Sequence, residues 1–67
     1  MKASERDSLL TQILPLLVRE DNPKRRYEIV SMAESLVSAE YRIMSFNGVS
    51  KKVSAWYEQT KVEAKNE

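Results

Sequence analysis

Apolar side chains recur along this chain at intervals of three and four, and no stretch alternates apolar with polar positions. That is the period of the helix, and three segments carry it. In the first, Leu10, Ile13, Leu14 and Leu17 stand at i, i+3, i+4 and i+7, with Leu9 and Leu16 widening the stripe. The run "SERD", from Ser4 to Asp7, resembles a capping box with Asp7 in place of the usual Glu. The first helix is therefore expected to begin after Ser4 and to end near Arg19 or Glu20. Pro15 interrupts it. Proline removes a backbone donor and clashes with the carbonyl four residues back, which predicts a kink over residues 11–14 or two short helices meeting there.

The run "DNP" at 21–23 opens the second segment, with Asp21 or Asn22 as the cap and Pro23 suited to the first helical position. Ile29, Met32, Leu36, Ala39, Ile43 and Phe46 then alternate spacings of three and four, the a/d pattern of a coiled-coil seam. This predicts one long helix reaching about Phe46. Val30, Ala33, Val37 and Met44 broaden its apolar face, which suits packing on two neighbours, or on one neighbour and a dimer mate. Glu28, Ser31, Ser35, Ser38, Arg42 and Ser45 form the opposite, polar side. Ser38 has the chemistry to cap a new short helix, but no Pro or Gly enforces a break there. Asn47-Gly48 tolerates left-handed backbone angles and is expected to end the second helix. Ser50 then caps the third, in which Val49, Val53 and Trp56 share a face with Thr60, and Val62 and Ala64 continue weakly. Trp56 is expected in the core, with Tyr57 at its rim. Residues 1–4 and 63–67 are expected to fray. The fold class is all-α: a small three-helix domain over residues 1–67, with a long central helix, expected to be dimeric.

Composition strengthens the last expectation. A chain of 67 residues buries only about 60% of its unfolded surface, and such domains gain stability from disulfides, metals, regular packing or self-association. Without Cys or His there is no disulfide, no thiolate metal site and no imidazole base. Helix packing and a homodimer remain, with Ile29, Met32, Leu36, Ile43 and Phe46 as the shared dimer or core seam and Tyr27 and Tyr41 at its rim. Met32 and Met44 read as gap-filling core residues.

The net charge of +1, from 11 basic and 10 acidic residues, is too balanced for a polycation that coats nucleic acid or anionic membrane. The longest apolar run, Ile13 to Val18, is far shorter than the ~20 residues a membrane span needs. Glu5 and Asp7 stand where a signal peptide would be basic and then apolar, so a cytoplasmic protein is expected.

Chemistry-bearing patterns are few. There is no Gly-rich phosphate loop and no carboxylate cluster of metal-ligand spacing, so neither an enzyme nor a cofactor nor a metal is expected. Two basic runs stand out instead. Lys24, Arg25 and Arg26 occupy the first turn of the second helix, where positive charge opposes the helix dipole. Lys51 and Lys52 repeat the theme in the third. Local rules tend to break at functional sites, so these five cations, with Tyr57 for contact area, are the expected partner-binding residues.

The function expected is a small non-enzymatic regulator or adaptor that self-associates through its central helix and binds a partner protein. The alternative is a helix-turn-helix-like DNA-binding regulator using residues 47–61. Lysines at the start of a recognition helix favour it. The long unbroken seam, the bulk of Ile43 and Met44 where helices would cross, and the early position of Val53 count against it.

Overall fold

A computed structural model of the protein describes the backbone of residues 1–65 and the side chains of residues 1–60. Three α-helices and one 3-10 helix follow in order: α1 (Ala3–Arg19), α2 (Pro23–Val37), the 3-10 helix (Ala39–Ile43) and α3 (Phe46–Lys65). No strand occurs among the described residues, so the chain is all-α.

α1 starts one residue before Ser4, not after it. The Glu5 carboxylate accepts from the Lys2 backbone N–H at 2.8 Å, while Asp7 pairs with Arg6 at 2.9 Å and takes no part in a cap. Residues 1–4, expected to fray, are tied down. The Met1 amino group donates to the carbonyls of Tyr41, Arg42 and Met44 at 3.1, 3.3 and 3.0 Å. α1 also runs through Pro15 as one helix rather than two. Pro15 and Thr11 both face solvent, so water can satisfy the Thr11 carbonyl that lacks its usual donor. The buried face is rotated from the expected stripe. Leu9, Ile13 and Leu16 are sealed at 0–1% exposure, whereas Leu14 is 59% exposed.

The start of α2 is as its local chemistry dictates. Asn22 is the N-cap, its side chain accepting from the N–H groups of Lys24 and Arg25 at 3.0 and 3.3 Å, with Pro23 in the first turn. The expected continuation to Phe46 does not occur. α2 ends at Val37 because Ser38 takes an extended backbone (φ −77°, ψ 177°). The Ser38 hydroxyl accepts from Glu40 N–H at 3.2 Å and donates to the Ser35 carbonyl at 3.0 Å. It thereby closes one helix and opens the next, the competition with helix propagation that Ser side chains favour at caps. The a/d seam is split in consequence. Ile29 and Leu36 are sealed at 0% exposure and Met32 is half-buried, but Ile43 stands out from the 3-10 helix at 90%.

Asn47-Gly48 is not a left-handed turn. No described residue has positive φ, and both lie in the first turn of α3. The cap is Ser45 rather than Ser50, its hydroxyl accepting from Gly48 N–H at 3.2 Å. Residues 63–65, expected to fray, belong to α3. The side chains of Val62 and Ala64, and residues 66 and 67, lie outside the described residues.

Only residues 20–22 join α1 to α2, so these two helices run antiparallel. α3 runs the same way as α1. Its start lies beside Met1 through Met44, and further along the Tyr57 hydroxyl donates to the Gln12 carbonyl. α2 and α3 are therefore antiparallel to each other. Both pack on α1, yet none of their described residues approach within 8 Å between Cα atoms. One core joins all three helices through Leu9, Ile13 and Leu16, Ile29 and Leu36, and Val49, Val53 and Trp56. Phe46, Met32 and Met44 pack against its edge.

Candidate protein-binding groove between α2 and α3

α2 and α3 each pack on α1 without a close backbone approach to one another, and an open groove of about 890 Å³ lies between them. Its base is Met32, Met44 and Trp56. Trp56 is 7% exposed and belongs to the core, and it also lines the groove. Lys24, Tyr27, Glu28, Ser31 and Ser35 form the α2 wall; Lys52, Ala55 and Gln59 form the α3 wall. Tyr27 is 74% exposed. The antiparallel course of the walls sets Lys24 and Lys52 toward opposite ends.

The six expected partner-binding residues divide. Lys24, Arg25 and Lys52 line the groove; Arg26, Lys51 and Tyr57 do not. Arg25 and Arg26 are also committed to the α1–α2 corner. Glu20, 7% exposed, continues the buried face of α1 beyond Leu16. Its Oε2 lies 3.1 Å from Arg25 Nε. Its Oε1 accepts from Arg25 Nη2 at 3.2 Å and from the Asn22 N–H at 3.0 Å. The Arg25 hydrogen bond, aided by the Asn22 N–H and the Arg25 charge, holds the Glu20 carboxyl below its ordinary value of 4.5 against the opposing effect of burial. Arg26 Nη1 donates to the carbonyls of Leu17 and Glu20, satisfying the open end of α1. Tyr57 is half-buried and fixed to α1 through its hydroxyl. Lys51 is exposed away from the groove. Tyr41, expected at a dimer rim, lies under the Arg6 guanidinium at 4.6 Å from its ring centre.

A second, smaller depression of about 340 Å³ lies between α1 and α2, lined by Leu17, Val30, Ala33, Glu34, Val37 and Ser38. Val37, which lines it, is 69% exposed, and on α1 Leu14 and Val18 are 59% and 84% exposed. Ile29 and Leu36, central to the expected dimer seam, are buried within the chain itself.

Sequence reasoning missed Tyr27 and Met44 as groove residues. Tyr27 sits one helical turn from Lys24 and was legible as its neighbour. Met44 reaches the groove only because the chain breaks at Ser38, and no spacing signals that.

Among the described residues no group of three or more Asp or Glu side chains is placed to hold a metal ion, and no helix is long and apolar enough to cross a membrane. No protein-family model, curated protein or solved structure matches the chain. Among the described residues the fold defines a small three-helix protein with an amphipathic cleft between α2 and α3.

Proposed function

We propose that this chain is a non-enzymatic adaptor or regulator that binds a partner protein in the α2–α3 groove. The carrying observation is the composition of that groove. An apolar base of two methionines and a tryptophan lies between polar walls that bear an exposed tyrosine and a lysine toward each end. Aromatic residues and Met are enriched at protein interfaces, and methionine adapts its shape to an incoming surface. The test is a photo-crosslinking side chain introduced at Ala55, on the groove wall, or at Asn47, exposed outside it. Ala55 should give a discrete protein adduct that survives nuclease, and Asn47 should give none. Equal adducts at both positions, or adducts removed by nuclease, refute the proposal.

The DNA-reading alternative has less support. α3 begins at Phe46, which moves Lys51 and Lys52 into its second turn, and a 3-10 helix intervenes between α2 and α3. A helix-turn-helix joins its two helices by a turn of about three or four residues.

Self-association belongs to the same proposal but on a different face from the a/d seam. The α1–α2 depression is lined by the apolar Leu17, Val30, Ala33 and Val37, with Glu34 as its one charged residue, and Val37 is 69% exposed. Two copies can meet there about a two-fold axis, each presenting the same patch to the other.

A further inference from the structure

Resting on the groove as the partner-binding surface, we infer that its occupant is an amphipathic helix with an apolar face and acidic residues toward both ends. Three features of the groove carry this.

The first is shape. The walls are two helices, and no strand edge is available among the described residues, so an extended peptide has no ladder to join. Two helical walls around an apolar base are the setting of helix-in-groove recognition. A helix about 10 Å across that rises ~1.5 Å per residue occupies roughly 120 Å³ per residue. The groove of about 890 Å³ thus holds about two turns outright, and more of a helix that is only half sunk. The α2 wall from Asn22 to Ser35 extends about 20 Å, long enough to guide some three and a half turns.

The second is the profile of the walls. Ser31 and Ser35 on α2 and Ala55 on α3 are the wall residues flanking Met32 and Trp56. Small side chains there let a third helix approach the base, while Tyr27 stands exposed at one end to cover it. A helix in this place would contact both α2 and α3, whose Cα atoms nowhere come within 8 Å of each other among the described residues.

The third is charge. Arg25 lines the groove, but its charge is matched by Glu20 at 3.1 Å. Of the remaining charged wall residues Lys24 and Lys52 are positive and Glu28 is negative. The net excess is one positive charge, with a lysine toward each end. An occupant with carboxylates toward both ends meets both lysines, whereas a basic one meets the repulsion of Lys52 at one end and of Lys24, offset in part by Glu28, at the other.

Trp56 is the only tryptophan of the chain and lines the groove, so its fluorescence reports occupancy directly. The probes are two helical peptides of about fourteen residues with the same leucine face, one flanked by Glu and the other by Lys. The Glu-flanked peptide should bind about tenfold more tightly at low salt. The difference should largely vanish near 1 M salt, where the screening length is about 3 Å. Lys24 and Lys52 are exposed, so the double variant Lys24→Glu/Lys52→Glu should keep its fold and reverse the preference. Equal binding of both peptides by the unaltered chain overturns the acidic-helix inference while leaving the groove itself intact as a binding surface. No response of Trp56 to either peptide overturns the helical occupant, and the Ala55 crosslink then decides separately whether the groove binds protein at all. A duplex of about 20 base pairs that displaces the Glu-flanked peptide, with a steep salt slope, overturns it in favour of nucleic acid.

Discussion

Replacing Glu20 by Gln keeps the shape of the side chain and removes its charge, which isolates what the α1–α2 corner owes to the Arg25 pair. The Glu20 side chain is 5% exposed and that of Arg25 is 20% exposed. Leaving one member of a fully buried pair without its partner costs about 3–5 kcal/mol. Water still reaches part of Arg25, and Gln keeps an oxygen for the Asn22 N–H, so about 2 kcal/mol is the expected loss. Domains of this size unfold with roughly 3–10 kcal/mol and shift in Tm by about 4–8 °C per kcal/mol. Glu20→Gln should therefore lower the thermal midpoint, followed by far-ultraviolet circular dichroism, by about 8–16 °C. The pH dependence adds an independent check. The folded carboxyl titrates below its ordinary value of 4.5, so the unfolded chain binds the proton more readily. The stability from the pair is then fully present above pH 4.5 and is lost as pH falls through the lower folded value. Unaltered protein should lose stability over that acid range more steeply than Glu20→Gln. A midpoint lowered by less than about 4 °C, or parallel acid profiles for the two proteins, refutes a structural role for the pair.

Three further outcomes follow from the same geometry. A Cβ built on Gly48 meets only Ser45 Cβ and Oγ at 3.6 and 3.7 Å, so Gly48→Ala should stabilise α3 by about 0.5–1 kcal/mol; a lower denaturant midpoint would restore the left-handed turn in place of the first helical turn. Leu36→Ala should cost about 2–5 kcal/mol, whereas Ile43→Ala should lie within about 0.5 kcal/mol of zero in the monomer; comparable losses at both, measured in urea at low concentration, would reinstate one continuous seam. Val37→Glu, at a residue 69% exposed that lines the α1–α2 depression, should leave the fold intact and shift sedimentation toward monomer; unchanged sedimentation of a dimer removes that depression as its interface.

How far each element was legible depended on whether its cause was local. Asn22 and Pro23 act on backbone groups within three residues, and the start of α2 fell where they require. Ser38 acts locally too, but its spacing concealed it. A polar residue at that place fits the outer face of a continuous helix as well as it fits a cap, and the steps of three and four from Ile29 to Phe46 run on regardless of what the backbone does between Leu36 and Ile43. At Asn47-Gly48 composition favoured a turn, yet a serine three residues before Gly48 is an equally good helix cap, and the Ser45 hydroxyl settles the matter by accepting from the Gly48 N–H. The groove was less accessible still, because it exists through the lack of a close backbone approach between α2 and α3 and through the arrival of Met44 after the break.

The basic first turn of α2 shows how a local anomaly visible in the sequence can have a structural cause elsewhere in the chain. Positive charge there does oppose the dipole of α2, and that anomaly is visible in the sequence. What answers it lies just upstream. Leu9, Ile13 and Leu16 step along one face of α1 by four and three, and a further step of four reaches Glu20, which is thereby carried into the buried layer. A buried carboxylate requires a cation and hydrogen-bond donors, and the short link to α2 places Arg25 within reach. The last carbonyls of α1 require donors as well, and Arg26 supplies them. Charge at the start of α2 is thus charge at the end of α1, where it is favourable. Arg25 and Arg26 are engaged by the corner and Tyr57 is fixed to α1, so fewer side chains are left for the proposed partner than the sequence displays. Lys24 and Lys52 are the ones free of a described ion pair that also flank an apolar base, and they are where a charge-reversal experiment acts on recognition without first acting on the fold.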